Sequence, residues 1–184
     1  NAIELMPTQE FDGNDSWGYG THAYFAMDKV YGTRKDYKDF IDLCHQNGMA
    51  VILDVVYNHA TGAHPYCSMY YIYDGDNSRP APNNPWFNEY ATHPYNVFHD
   101  WNHGNPMVRD YVKENLTYLI KEYKIDGFRF DLTKGFTQTP SDEGSASNYD
   151  QSRVDILNEY RNHIRSVDAN AIMICEHFAD SENK

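Results

Sequence analysis

Apolar positions along the chain follow two periods that take turns. Short apolar runs of strand type are Ala2-Ile3-Glu4-Leu5-Met6, closed by Pro7, then Met49 to Val56, Gly127 to Phe130, and Ala171 to Cys175. Between them apolar residues recur at helical spacing. Tyr37, Phe40, Ile41 and Cys44 follow the capping residue Thr33 and stop at Gly48, while Val108, Tyr111, Val112, Leu119, Ile120 and Tyr123 follow Asn105-Pro106. Val154, Leu157, Tyr160, Ile164 and Val167 mark a third helix. Two segments lack either period: a Gly, Asp and Asn-rich loop after Pro7 that runs through Trp17-Gly18-Tyr19-Gly20 to Tyr31-Gly32, and residues 60–104, rich in Pro, Asn, His and Tyr. A structureless stretch as long as 60–104 fits a compact domain only as an inserted subdomain or a functional loop. The chain thus divides into a strand-helix-strand part at 1–59, an insertion at 60–104, and a helix-strand-helix-strand part at 105–184.

Strands that alternate with helices are parallel. Four of them with three connecting helices predict part of a (β/α)8 TIM barrel, whose chemistry gathers at the carboxyl ends of the strands. The competing doubly wound sheet calls for a glycine-rich phosphate loop after its first strand, and no such loop is present.

Charge and composition narrow the partners. The 184 residues carry 15 Lys+Arg against 27 Asp+Glu, a net charge of -12, which argues against nucleic acid and anionic membrane surfaces and favours a neutral substrate. Sixteen tyrosines supply the flat apolar rings on which sugar faces stack, and equally serve ordinary packing. Three cysteines without CxxC or Cys/His spacing point away from a disulfide framework or zinc site, with Cys44 and Cys175 expected to be buried. No run approaches the roughly 20 apolar residues of a membrane span, and no basic-then-apolar leader opens the sequence.

Polar residues cluster where the strands end. Arg129 and Asp131 stand two apart and therefore point the same way; a guanidinium beside a carboxylate favours its ionised form, and an ionised, oriented aspartate suits a covalent nucleophile. A structural ion pair is the plainer alternative for this motif alone. Asp54-Val55-Val56-Tyr57-Asn58-His59 and Glu176-His177 end two further strands in the same manner. His93, His99 and His103 lie among prolines, asparagines and glycines with no helix to align them, which reads as loop polarity rather than a metal site.

Three of these segments, in order, resemble the signature regions of the α-amylase family of retaining glycosidases, glycoside hydrolase family 13: Asp54 to His59, Gly127 to Lys134, and Glu176 after its apolar strand. Trp17-Gly18-Tyr19 with Tyr31-Gly32-Thr33 is similar to the loop after that family's second barrel strand, so the chain corresponds to about strands 2 to 5. The resemblance implies Asp131 as nucleophile and Glu176 as general acid/base, with Arg129 holding Asp131 ionised and Asp54 bracing Arg129. It further implies His59 as a donor to sugar hydroxyls, Tyr19 as a stacking platform and Lys134 on the acceptor side. The apolar Met173-Ile174-Cys175 before Glu176 is expected to raise its pKa. A structural calcium ion is implied as well, with Asn58 and Asp100 offering side-chain oxygens and Gly135 a carbonyl toward a shell of 6 to 8 oxygens.

Gly135 departs from the family pattern, where many members have histidine, and the loop from Gly135 to Asp150 is long, so acceptor-side specificity stays open. The family's third carboxylate would lie beyond Lys184, and the 184 residues alone are expected to be inactive. The implied substrate is an α-glucan cut at α-1,4 bonds through a glycosyl-Asp131 intermediate. Branching enzymes and glucanotransferases use the same intermediate, and a non-catalytic binding or scaffold protein is the reading from another class.

Overall fold

The computed structural model describes residues 1–178. Its centre is a parallel sheet of β1 (Ala2–Leu5), β4 (Ala50–Val55), β9 (Gly127–Phe130) and β10 (Ile172–Cys175), hydrogen-bonded in that order. Each strand is followed in space by the next one in sequence. Strand order never reverses, as winding toward a barrel requires and a doubly wound sheet does not. The crossovers are the predicted helices α1 (Arg34–Gln46), α3 (Pro106–Tyr123) and α4 (Gln151–Val167).

Local chemistry fixes the helix ends. Thr33 and Asp36 form a reciprocal capping box at the start of α1. Asn105 caps the Met107 amide at 3.0 Å with Pro106 in the first turn of α3. The buried face of α1 is Tyr37, Ile41 and Cys44, whereas Phe40 is 38% exposed. On α4 the buried face runs through Arg153, Ile156, Tyr160 and Ile164.

Two regions differ from the sequence reading. The Gly/Asp/Asn-rich loop contains an antiparallel hairpin, β2 (Gln9–Phe11) with β3 (Thr21–Met27), whose strands are short and irregular in register. The fully buried Asn115 of α3 joins it to the barrel, bonding the Gln9 side chain at 2.8 Å, the Tyr24 carbonyl at 2.7 Å and the Tyr57 hydroxyl at 2.6 Å. Residues 60–104 are ordered by aromatic packing rather than by regular elements. Phe87 stacks on Trp101 at 4.1 Å, Tyr66 on Trp86 at 4.2 Å, and His64 meets Trp101 edge-on at 4.9 Å. Short elements frame this cluster: β5 (His59–Ala60) pairs with β8 (His99–Asp100), β6 (Tyr71–Ile72) with β7 (Arg79–Pro80), and α2 spans Pro65–Ser68. No helix among the described residues is long and apolar enough to cross a membrane.

Cys44 and Cys67 are buried, but Cys175 is exposed, contrary to expectation. Strand β10 pairs only with β9 among the described residues, and its Ile172, Ile174 and Cys175 are exposed.

Gly127 sets the spacing of the strand that carries Arg129. A Cβ there would lie 2.7 Å from both the Cβ and the carbonyl oxygen of Ile172 on β10. Gly127→Ala is therefore expected to prise β9 from β10 and cost about 1–3 kcal/mol; an unchanged denaturant midpoint would contradict this reading of the sheet.

Candidate active site

The register of the parallel strands does the assembling. Asp54 of β4 is paired with Arg129 of β9, and Phe130 with Cys175 of β10, which brings Asp131 and Glu176 level just past the strand ends. The ladder continues through Asp131 N–H to the Val55 carbonyl at 3.1 Å and Glu176 N–H to the Phe130 carbonyl at 3.0 Å. Paired positions in a parallel sheet face the same side. One guanidinium consequently meets three carboxyls: Arg129 Nη1 reaches Asp54 Oδ2 at 2.8 Å and Asp131 Oδ1 at 3.2 Å, and Nη2 contacts Glu176 Oε1. The charge of Glu176 also acts on the Asp131 carboxyl.

Burial and charge act on this group in opposite directions. The Asp131 carboxyl is raised to about 6, first by burial, against the Asn58 amide bond, and with the neighbouring negative charges of Glu176 and Asp54 adding to the rise. Arg129 does touch Asp131, but shared three ways it does not hold that carboxyl low; at about 6 the group is still largely ionised at pH 7, in line with the Arg-x-Asp spacing. Asp54 is also raised by burial, although Arg129 and the Tyr19 hydroxyl, at 2.8 Å, both donate to it. Its second oxygen, Oδ1, is buried without a partner among the described residues.

Glu176 lies in a setting other than the apolar flank expected for it. Ile174 and Cys175 are both exposed, and both Glu176 oxygens accept from donors, Oε1 from Arg129 and Oε2 from the Leu132 N–H at 3.0 Å. His59 is buried and its imidazole pushed down to about 4 by desolvation, so it is neutral at pH 7. Its Nε2 hydrogen goes to the Tyr19 carbonyl at 2.8 Å, tying the loop before β3 to the strand end that bears Asn58. Tyr19, Asp54, Asn58, His59, Arg129, Asp131 and Glu176 are thus one connected group.

Lys134 and Asp100 stand apart from it. Lys134 is 5% exposed, with Nζ bonded to Ser147 Oγ and the Phe178 carbonyl, both at 2.8 Å, and lying 5.2 Å from the Tyr95 ring. Asp100 is buried, accepting from Asn88 Nδ2 at 2.7 Å and His93 Nε2 at 3.2 Å. His99 instead bonds the Tyr71 hydroxyl at 3.0 Å, and His103 bonds Tyr160 and the Tyr57 carbonyl, each at 2.7 Å.

The residues expected around calcium are neighbours, since a Cβ on Gly135 would lie 2.7 Å from the Asn58 Cβ and 3.3 Å from His93 Nε2. Both Asp100 oxygens, however, accept protein donors, whereas Asn58 donates from Nδ2 to the Asp131 carboxylate at 2.9 Å and carbonyl at 3.0 Å and sets Oδ1 against a His59 Nδ1 that carries no hydrogen. Among the described residues no three His, Cys, Asp or Glu side chains form a metal-holding group. As placed here, the two side chains offer fewer oxygens than a shell of 6 to 8.

Sequence reasoning assigned Asn58 to the metal and passed over Leu132 and Thr133. The contact of Asn58 with Asp131 spans 73 positions and comes from strand register, which no local motif announces.

Two acid groups bridged by one arginine at the carboxyl ends of adjacent parallel strands are the kind of arrangement that two-carboxylate glycoside chemistry requires. The chain belongs to the α-amylase catalytic-domain family, whose model matches residues 1–184. It is 32% identical over 181 residues to a 1,4-alpha-glucan branching enzyme of Bacillus caldolyticus, covering 97% of this chain and 25% of that protein. To the malto-oligosyltrehalose trehalohydrolase of Saccharolobus solfataricus it is 33% identical, over 71% of this chain and 21% of the relative. Among solved structures it resembles the α-amylase of Geobacillus thermoleovorans complexed with acarbose (TM-score 0.73, 23% identity, 98% of this chain and 37% of that one). It also resembles a pullulanase of Anoxybacillus complexed with maltotetraose (TM-score 0.69, 28% identity, 95% of this chain and 25% of that one). The chain spans about a quarter of the length of the curated relatives it matches.

Removing the shared cation should be costly in a pH-dependent way. Arg129→Met is expected to destabilise the protein by roughly 3 kcal/mol at pH 8, where three uncompensated carboxylates face one another. The loss should shrink at pH 5 as they take up protons. Equal losses at both pH values, measured by denaturant unfolding, would show that Arg129 acts by packing alone.

Proposed function

We propose that the protein carrying this chain is a retaining α-glucan-active enzyme that cleaves α-1,4 bonds through a covalent glycosyl-Asp131 intermediate. The convergence of Asp131 and Glu176 on Arg129 supports this reading most directly, because retention needs two carboxyls roughly 5 Å apart or closer than a bound water permits. In the first step an Asp131 carboxylate oxygen bonds to the anomeric carbon as the glycosidic C–O bond breaks, and the Glu176 proton passes to the departing oxygen. An incoming hydroxyl then gives its proton to Glu176 and its oxygen to the anomeric carbon, which releases Asp131.

Five further residues have roles consistent with their contacts, whereas His59, its one hydrogen given to the Tyr19 carbonyl, is not free as placed to donate to a sugar hydroxyl. Asn58 and Arg129 donate to the Asp131 carboxylate and aim it. Asp54 braces Arg129, and Tyr19, fixed to Asp54, offers its ring to a sugar face. Lys134 is proposed to act on the acceptor side through the loop it holds, since its ammonium is already engaged by Ser147 and Phe178. No step is routed through calcium. Water as acceptor gives hydrolysis and a sugar hydroxyl gives transfer; the branching-enzyme likeness keeps the second outcome as a specific alternative.

Product analysis on amylose with the full-length protein decides between them: hydrolysis releases new reducing ends, transfer forms new α-1,6 branches at constant reducing power. Neither product would refute the proposal. The same assay carries a pH test. Asp131 must be ionised to attack, and its carboxyl is raised to about 6, so kcat/KM is expected to fall as pH drops through that value, with the apparent pKa belonging to the Asp131–Glu176 pair. Glu176→Gln, which removes the adjacent negative charge, should move that acid limb to lower pH in whatever activity remains; an unmoved limb would show that the two groups do not interact.

A further inference from the structure

The turn after Asp131 grips the segment that carries Glu176 residue by residue. Leu132 is left-handed, at φ 40° and ψ 64°, a conformation that costs a non-glycine residue of order 1–3 kcal/mol. It turns two successive amides toward the neighbouring strand end: Leu132 N–H donates to Glu176 Oε2 at 3.0 Å and Thr133 N–H to the Glu176 carbonyl at 2.8 Å. The Thr133 hydroxyl donates to that same carbonyl at 2.8 Å and lies 2.9 Å from His177 Nδ1. A hydroxyl has one proton, so with it spent on the carbonyl, His177 is the donor in the second contact. Lys134 completes the series with its bond to the Phe178 carbonyl. Three consecutive residues therefore hold three consecutive residues, and Thr133, with 0% exposure, is at the centre.

We propose that Thr133 is a positioning residue for the acid/base: its hydroxyl fixes the peptide of Glu176 and thereby the angle at which that carboxyl faces Asp131. The inference rests on the reading of Glu176 as acid/base and extends it to a side chain that touches no substrate. Valine in its place would keep the volume and the backbone N–H bond. It would leave the Glu176 carbonyl with one donor from this turn and His177 Nδ1 without its acceptor, freeing the peptide to rotate. The carboxyl is carried at the end of that lever, and misplacement on the order of 1 Å can cost roughly 10²-fold in rate.

The test compares kcat/KM, which reports formation of the glycosyl-enzyme, on two substrates in the full-length protein. Breaking a maltooligosaccharide bond needs proton donation to the leaving oxygen, whereas the fluoride of α-glucosyl fluoride leaves without it. Thr133→Val should lose about 10- to 100-fold on the oligosaccharide and little on the fluoride, and Thr133→Ser, which retains the hydroxyl, should restore the wild-type ratio. Equal losses on both substrates, or no rescue by serine, would overturn the proposal. If the valine variant does not fold, Thr133→Cys, with a weaker donor, should give a ratio between those of serine and Glu176→Gln; a wild-type ratio would overturn it. Glu176→Gln serves as the control, since failure of that variant to discriminate between the substrates would sink the acid/base reading itself rather than the role of Thr133.

Discussion

The guanidinium of Arg129 is the interaction on which the site depends. It lies between Asp54, Asp131 and Glu176, which are held by three adjacent strands, and the contacts are short because strand register places the residues level. Like charges this close cannot all remain ionised without compensation. A single delocalised cation with a rigid fork of donors can serve several carboxyls at once, which a lysine ammonium on a flexible stem does less well. The compensation is incomplete, and Asp131 stays raised toward 6.

Around this charge cluster the protein supplies rigidity from several directions. Strand residues Leu53, Val55, Phe128 and Phe130 are fully buried beneath it, so the backbone that bears the three acids has no room to shift. Tyr24 and Trp101 join the hairpin and the insertion to the same core: the Tyr24 hydroxyl lies 2.8 Å from both the Val56 and His59 carbonyls, which share its one proton, and accepts from Trp101 Nε1 at 3.1 Å. Leu132 holds the strained turn that brings two amides to Glu176. Strain is tolerated there because the surrounding hydrogen bonds over-determine the conformation.

Much of this was legible in the sequence. Capping residues Thr33 and Asn105, the apolar runs and the strand-helix alternation located the sheet, and alternation within a strand put Arg129 and Asp131 on one side. What escaped notice has physical reasons. The hairpin of Gln9–Phe11 and Thr21–Met27 joins a three-residue strand to a seven-residue one in irregular register across turn-forming residues, and the insertion is built on ring stacking, which has no sequence period. Cys175 read as buried because an apolar run looks alike at the centre and the edge of a sheet. The apolar flank expected at Glu176 failed for the same reason, since donors from the neighbouring strand end reach its carboxyl instead. Asn58 was assigned to a metal by pattern, while register turns its amide to Asp131.

Trapping the covalent intermediate tests the central claim most directly. Full-length protein treated with 5-fluoro-α-glucosyl fluoride and digested for peptide mass spectrometry should carry one glycosyl group, on Asp131. A label on any other residue, or turnover with no label and inversion at the anomeric carbon, would contradict the assignment of Asp131 and Glu176 as a nucleophile and acid/base pair sharing Arg129.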